Sequence, residues 1–257
     1  MIIKKINKDI AIEFIQKYHY SKILPRLTKH YLGLIENEGL VGVITLGWGT
    51  QPKSTIKKIL NLDDYDTKDY LEIGKMCFLP NKNKSNFGSE CMKELLVWIR
   101  ENTEIKFLYT LADGIMGKCG YVYQASNFIY IGKFKTSVYM DRETGEKIHP
   151  RSAKSLCTEN AEFLKIKKVF WLTHDFCEYK NIDKIHGEMF RYIYPINKNY
   201  RKVLKKYNFK LKNPKDVDIK YFKRIKKGKF IEIEKPEFNM NVFNHNFQKI
   251  NSQPNLI

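Results

Sequence analysis

Three polar side chains stand in a row at His19, Tyr20 and Ser21, directly after a stretch with helical periodicity. A neutral imidazole accepts a proton near pH 7, so His19 could act as a general base or hold a metal ion, with two hydroxyls beside it. The same residues could simply close the helix, because His suits a last turn and Pro25 follows shortly. Asp113 ends a short apolar run and precedes Gly114. Open α/β sheets bind ligands beyond the carboxyl ends of their strands, where a carboxylate can take a hydrogen bond from a substrate amine. The competing reading of Asp113 is an Asp-Gly turn. The loop from Asn81 to Ser89 supplies Lys82, Lys84, Ser85, Phe87, Gly88 and Ser89 at the point where a helix begins. Backbone N–H groups at a helix start bind phosphate-like anions, and glycine lets them approach closely. Arg191-Tyr192 places a phosphate-binding side chain beside an aromatic ring. Lys202, Lys205 and Lys206, then Lys223, Lys226, Lys227 and Lys229, interleave with Tyr207, Phe209, Tyr221 and Phe222, a pattern that suits a nucleic-acid backbone and equally a solvated face.

These groups need elements to hold them. Ile2 to Ile6 reads as a strand, and Lys8 to Tyr18 as an amphipathic helix with Ile10, Ile12, Phe14, Ile15 and Tyr18 apolar. His30 to Ile35 and Leu40 to Leu46 flank a polar turn, Glu36-Asn37-Glu38-Gly39, and so predict a hairpin. A short helix around Ser54 to Leu60 lies in a long loop. Tyr70 to Leu79 is a strand ended by Pro80, and a helix follows from about Gly88 to Arg100. Phe107 to Ala112 is a short buried strand, Gly114 to Gly120 a turn, and Tyr121 to Ser126 a helix. Strands are expected at Phe128 to Met140, Val169 to His174 and Phe190 to Ile196. Beyond Asn197 the chain becomes Lys-dense, then Asn-rich and weakly patterned.

Composition narrows the classes. With 257 residues, 43% hydrophobic and 14% aromatic, the chain can bury a real core, which excludes a disordered tail or a disulfide mini-scaffold. No apolar run approaches the roughly 20 residues that span a bilayer, so a soluble, cytoplasmic protein without a membrane partner is expected. The net charge of +18 attracts polyanions, nucleic acid first. Codon bias explains part of it, since 39 of the basic residues are Lys and only seven Arg, but not the shortage of acids. Five cysteines without a C-x-x-C spacing point to free thiols rather than a disulfide framework or zinc knuckle.

The order strand, helix, hairpin, strand, loop-helix, strand, helix, strand is that of an α/β protein with a mixed sheet. It resembles the GNAT acyltransferase superfamily. Tyr70 to Leu79, its loop and the helix from Gly88 look like that superfamily's pyrophosphate-binding strand-loop-helix, with one glycine where Q/R-x-x-G-x-G/A is usual. Tyr123-Gln124-Ala125-Ser126-Asn127-Phe128 is similar to its Y-x-x-x-G-F helix end, with Asn127 in place of Gly. Asn is the next most tolerant residue for a left-handed cap. Within the superfamily the chain resembles the phage Mom-type DNA adenine-modification family. The resemblance is carried by His19-Tyr20-Ser21 with Pro25, Gly42-Val43-Ile44, Ala112-Asp113-Gly114, Gly120 to Asn127 with Tyr130 and Gly132, and Arg191-Tyr192.

The resemblance implies a GNAT-like mixed central sheet flanked by helices over residues 1–197, followed by a basic, partly irregular C-terminal extension over 198–257. It implies transfer of a carbamoylmethyl or related acyl-type group to the exocyclic amine of adenine in double-stranded DNA, a shield for phage DNA against restriction nucleases in the bacterial host. The donor it implies is acetyl-coenzyme A or a relative, its pyrophosphate at Lys82, Lys84, Ser85, Phe87, Gly88 and Ser89. Tyr123 stands where a general acid serves a thiolate leaving group. Asp113 would polarise the amine, a poor nucleophile whose lone pair is delocalised, with His19, Tyr20 and Ser21 as partners. A metal ion, iron among the candidates, stays open, with His19, Asp113 and His149 or His174 as side chains that could in principle hold it. The target base would flip into a pocket lined by Trp48, Tyr20 or Tyr123. Arg191, Tyr192, Lys223, Lys226 and Lys227 would contact DNA. Two other readings remain: an acetyltransferase acting on a small amine or a protein lysine, and a non-catalytic DNA-binding protein on the same fold, against which Asp113, His19 and Tyr123 weigh.

Overall fold

In a computed structural model that describes residues 1–49, 51–60, 62–82, 86–150, 153–205, 211–226 and 228–242, the chain opens with β1 (Ile2–Lys5) and α1 (Lys8–Tyr18). There follow β2 (Leu27–Glu36), β3 (Gly39–Trp48), α2 (Pro52–Ser54) with a π-helical turn at Thr55–Ile59, β4 (Tyr70–Phe78), α3 (Phe87–Asn102) and β5 (Phe107–Asp113). Next come α4 (Tyr121–Ala125), β6 (Ile129–Asp141), β7 (Lys147–Ile148), α5 (Lys154–Phe163), α6 (His174–Tyr179), β8 (Ile182–Pro195), α7 (Lys198–Lys205), β9 (Tyr221–Lys226) and β10 (Lys229–Ile233). Among the described residues no helix is long and apolar enough to cross a membrane.

The chain divides into two compact units. The first comprises Met1–Ala112, Gly120–Gly132 and Phe190–Asn213; the second comprises Asp113–Cys119, Lys133–Met189 and the chain from Pro214 on. A single cut near residue 197 therefore does not describe it, because β6 and β8 each contribute residues to both units.

In the first unit α1 forms where the periodicity predicts it. The Asn7 side chain accepts the Asp9 N–H at 2.7 Å, closing one orphan donor of the first turn. Its stripe of Ala11, Ile12, Phe14 and Ile15 is buried with Leu24, Val43 and Cys77. Each of the large side chains contributes about 1.5–3 kcal/mol by leaving water. The β2–β3 hairpin turns at Asn37 and Glu38, both at positive φ (48° and 64°), so the two residues take the backbone hand that matches strand twist. β1, β2, β3 and β4 pair antiparallel in that order, and β5 joins β4 in parallel. A mixed sheet of this kind is what the element order predicts. A second cluster, Ile56, Leu60, Leu62, Tyr70, Phe107, Tyr109, Ile193 and Leu204, fills another core of this unit.

In the second unit α5 and α6 bury Leu156, Phe176 and Cys177 with Tyr139, Ile148 and Leu172. The strand expected at Val169 to His174 is absent: α6 starts at His174 and β8 only at Ile182. Side chains satisfy that backbone instead. Leu172 N–H donates to the Tyr139 hydroxyl at 3.1 Å, and Asn160 Nδ2 donates to Trp171 O at 2.8 Å. Beyond residue 197, part of the basic extension is ordered as the β9–β10 hairpin, with β9 antiparallel to β8.

Asp69 ties the starts of β4 and β5. Its carboxylate accepts the Asp66 N–H at 2.7 Å and pairs with Lys106 at 2.9 Å, while its carbonyl accepts the Lys106 N–H at 2.8 Å. Burial alone would raise this carboxyl, but the Asp66 N–H and the Lys106 ammonium together hold it below its usual range. Asp69→Asn should therefore cost about 1–3 kcal/mol in urea unfolding at pH 7. A carboxyl depressed by folding contributes above its unfolded value of about 3.9 and stops contributing as pH falls through the lower folded value. The gap between wild type and variant should accordingly close in acid, and a pH-independent gap would remove the ionic component.

Candidate active site

The registered pairing of β4 with β5 runs from Tyr70↔Phe107 to Ile73↔Thr110, although β4 continues to Phe78 and β5 to Asp113. Immediately after Ile73, β4 carries an extra residue: Thr45 pairs with Lys75 and Leu46 with Ile73, leaving Gly74 as a bulge. A Cβ on Gly74 would lie 2.7 Å from Pro25 Cγ and 3.1 Å from Thr45 Oγ1. Glycine here lets the segment after α1 seat itself on the bulge, which brings the chain that carries His19, Tyr20 and Ser21 to the point where the parallel pairing stops.

His19 closes α1: its N–H donates to Ile15 O at 2.9 Å, and its side chain is buried at 8% exposure. The imidazole stacks on Tyr20 with centroids 4.3 Å apart. Nδ1 lies 2.9 Å from Ser21 N and 3.0 Å from Ser21 O. In one tautomer it accepts from the N–H; in the other it donates to the carbonyl, and Nε2 then carries the lone pair a general base needs. His19 is thus the cap of α1, with its imidazole held against the backbone of Ser21 rather than the Ser21 hydroxyl.

A polar group beside the same strand ends escaped the sequence reading. Glu72 and Tyr109 are register partners on β4 and β5, and Arg191 on β8 acts on Tyr109. A Cβ on Gly49 would meet Glu72 Oε2 at 2.7 Å, so the end of β3 closes over the carboxylate. Burial, with Glu72 adding to it, pushes the Tyr109 phenol up, while Arg191 opposes. Burial also pushes Tyr70 up to about 12, against the Thr55 hydroxyl and with help from Glu72. These phenols stay protonated at neutral pH: Tyr70 donates to Pro52 O at 3.3 Å, while the Tyr109 oxygen accepts from Arg191. The available signal was Glu72 itself, a carboxylate flanked by Tyr70, Leu71 and Ile73 in a central strand. Trp48 is anchored into the same wall, its Nε1 donating to Thr67 O at 3.0 Å and Tyr70 O at 3.1 Å.

Tyr123 on α4 is buried, facing the Thr110 hydroxyl of β5. Burial raises its phenol, the Thr110 hydroxyl opposes and Glu72 adds a smaller push upward. Its ring packs on Phe128 at 5.5 Å and Tyr192 at 5.6 Å. Tyr192 is fully buried, its hydroxyl accepting from Gln124 Nε2 at 2.9 Å, so its ring is a core element rather than a platform for a base. Gly120, at φ 93°, is required for this packing: a Cβ would stand 2.6 Å from the Tyr192 ring. Asn127 sits at φ 60°, the left-handed position that its place in the Y-x-x-x-G-F pattern demands.

At the N-terminus of α3, Asn86 is left-handed (φ 71°) and makes no side-chain cap. Lys82 is ion-paired with Glu36 and lies over the Phe87 ring, so its charge is already answered. Phe87 is buried edge-on against Phe78. A Cβ on Gly88 would approach Val122 Cγ2 to 2.3 Å; the missing side chain serves contact between α3 and α4. Lys84 and Ser85 lie outside the described residues, as do Lys206, Tyr207, Phe209 and Lys227.

Asp113 belongs to the second unit. Its Oδ1 accepts the Ile115 N–H at 3.1 Å, capping the turn after β5, and Oδ2 faces Lys147 Nζ at 3.3 Å. Both the turn and the carboxylate at a strand end are therefore real, in one oriented side chain. Lys223 is paired with Asp183 at 2.8 Å, and Lys226 is exposed. Among the described residues no three His, Cys, Asp or Glu side chains gather as a metal set, so the grouping of His19, Asp113 and His149 or His174 is not formed.

Residues 1–215 match the Mom protein family. The chain is 27% identical over 213 residues to the methylcarbamoylase Mom of Escherichia phage Mu, covering 81% of each. Solved structures that it is similar to include an aminoglycoside 6'-acetyltransferase type Ii (10% identity, 77% of this chain and 98% of that one, TM-score 0.39). A GNAT-family acetyltransferase from Bacillus anthracis gives 12% identity, 76% and 93% coverage and a TM-score of 0.37. A protein described as a probable acetyltransferase gives 12% identity over 64% of this chain and 60% of its own length, with a TM-score of 0.31.

The Gly88 contact has a measurable sign. Glycine to alanine inside a helix ordinarily stabilises by about 0.5–1 kcal/mol. Gly88→Ala should instead destabilise by about 1–3 kcal/mol through overpacking on Val122. Adding Val122→Ala should restore most of that loss in thermal unfolding, whereas an unrelieved loss would place the strain elsewhere.

Proposed function

The chain belongs to the Mom protein family, and from that premise we propose that it transfers a carbamoylmethyl or related acyl-type group to the exocyclic amine of adenine in DNA. The family match over residues 1–215 carries the reading, and the phage Mu relative, a methylcarbamoylase, supports it. In a phage-infected host such a change would shield the modified DNA from restriction nucleases.

A donor of the acetyl-coenzyme A type fits the N-terminus of α3, a 16-residue helix whose N-cap makes no side-chain bond. The N–H groups of Phe87, Gly88 and Ser89 would hold its diphosphate. When bound, a donor of this type would supply an electrophilic acyl carbon, with the bond to its thiolate breaking as the amine's bond forms; a carbamoylmethyl product would instead need a donor whose electrophilic carbon is a methylene. The remaining work falls to the chain. Adenine's amine must lose a proton as it attacks, and Asp113 is the acceptor in this reading: its carboxylate ends a central strand and is held in one orientation by Ile115 and Lys147. Tyr123, kept protonated by burial, is the proton donor to the leaving group. His19, in the tautomer that donates Nδ1–H to Ser21 O, presents a second proton acceptor at Nε2.

Mass spectrometry of nucleosides from cells expressing the full chain should show deoxyadenosine carrying the added group. Unmodified DNA beside a modified small amine or protein lysine would replace this reading with an ordinary acetyltransferase. Asp113→Asn keeps the acceptor for the Ile115 N–H but removes the charge and basicity. It should lower modification by about 10²–10⁴-fold, as should Tyr123→Phe, with DNA affinity held. Normal modification by Asp113→Asn would move the base role to His19.

A further inference from the structure

One face of the second unit gathers cations for which the described residues provide no counter-charge. In the β8–β9 register His186 stands opposite Phe222 and Ile185 opposite Lys223. Side chains alternate along a strand, so Lys184, His186 and Arg224 share one face, while Lys223 points to the other, toward Asp183. Arg224 Nε and Nη2 and His186 Nε2 are buried without a hydrogen-bond partner. The Lys184 ammonium rests over the Tyr139 ring at 5.6 Å rather than on a carboxylate. Lys135 is exposed at the rim. The nearby acids on these strands are engaged elsewhere: Glu188 with Lys133, Glu232 with Lys220, and Asp183 with Arg142 and Lys223.

The electrostatics agree with the geometry. Burial first, then Lys184, Arg224 and Lys135, push His186 down to about 4. Burial and Arg224 likewise lower Lys184. Tyr139 and Cys177, the other titratable neighbours, are neutral, burial raising the Cys177 thiol to about 11. Like charges held together around unsatisfied donors are unfavourable unless an anion completes the group.

We propose that Lys184, His186 and Arg224, with Lys135 at the exposed rim, form a binding site for a phosphate group. A phosphate offers oxygen lone pairs to the planar guanidinium and imidazole and negative charge to the ammonium groups. Phe230, opposite Arg224 on β10 and edge-on to His186 at 4.8 Å, supplies an apolar wall. The phosphate has two chemical sources, a DNA phosphodiester or the phosphate of a nucleotide-type donor. Choosing DNA rests on the function proposed above; the anion site does not.

The test is NMR of the His186 ring in the full chain at pH 6, assigned with His186→Gln, during separate additions of inorganic phosphate, coenzyme A and a duplex oligonucleotide. The ring is expected to be neutral alone and to become protonated when a phosphate binds. Protonation with duplex assigns the site to DNA, and protonation with coenzyme A alone assigns it to the donor. On duplex, Lys184→Gln and Arg224→Gln should each weaken binding about tenfold and flatten the logarithmic salt dependence by about 0.9. Should Arg224→Gln fail to fold, Lys135→Gln takes its place. An imidazole that stays neutral with all three additions overturns the site, whatever the chain does to adenine. A protonated imidazole in a chain that leaves adenine unmodified overturns the enzymatic reading and leaves the site standing.

Discussion

Two parallel strands that meet at one end and part at the other set the geometry of the first unit. Asp69 and Lys106 fasten the start of β4 to the start of β5, and four residue pairs later the registered pairing ends. The Gly74 bulge lies at that point and turns β4 away from a simple ladder. Backbone groups at a divergence have no neighbouring strand to bond, so they must find water, side chains or a ligand. Pro25 on the bulge, the Glu72–Tyr109 pair and Tyr123 facing Thr110 all take their positions from this parting. Had β5 continued in register along β4, that space would be filled by sheet.

Close approach of helices and rings is bought by glycine at two places. Gly88 admits Val122, and Gly120 admits the Tyr192 ring. Gly88 lies where a phosphate-binding motif would also want glycine, so residue type alone cannot separate packing from ligand approach there. The direction of the missing Cβ does separate them: each points at a side chain of the same unit. The aromatic group around Tyr192 is consequently rigid, which suits a buried phenol whose hydroxyl must stay in place.

The net charge of +18 is unevenly spent. Lys82, Lys106, Lys133 and Lys223 answer specific carboxylates, which fixes local geometry and removes them as independent attractors of a polyanion. Lys184 and Arg224 do not, and His186 beside them is held low by burial first and by these cations second. Alternation along β9 alone sends Lys223 to a carboxylate and its neighbour Arg224 to a cation cluster.

Much of the first unit was legible in the chain itself. The periodicity of Ile12, Phe14 and Ile15 marked α1, the Asn37-Glu38 turn marked the hairpin, and Asn127 announced a left-handed cap, because each is a local matter of side-chain spacing or backbone hand. The family was legible too, since His19-Tyr20-Ser21, Ala112-Asp113-Gly114 and the helix end at Asn127 occur together. Local pattern failed where distant groups decided. Val169 to His174 looks like a strand, yet Asn160 and the Tyr139 hydroxyl satisfy its backbone, and no local signal tells of them. The ordered β9–β10 hairpin was hidden in a Lys-rich run because β8, its partner, lies far away in sequence. Tyr192 reads equally as a stacking platform or a structural ring until Gly120 is brought against it, and Lys223 reads as a free cation until Asp183 is. Spacing along the chain determines which face a side chain occupies; only the folded sheet determines what stands opposite, and the charge, burial and chemistry of each candidate follow from that neighbour.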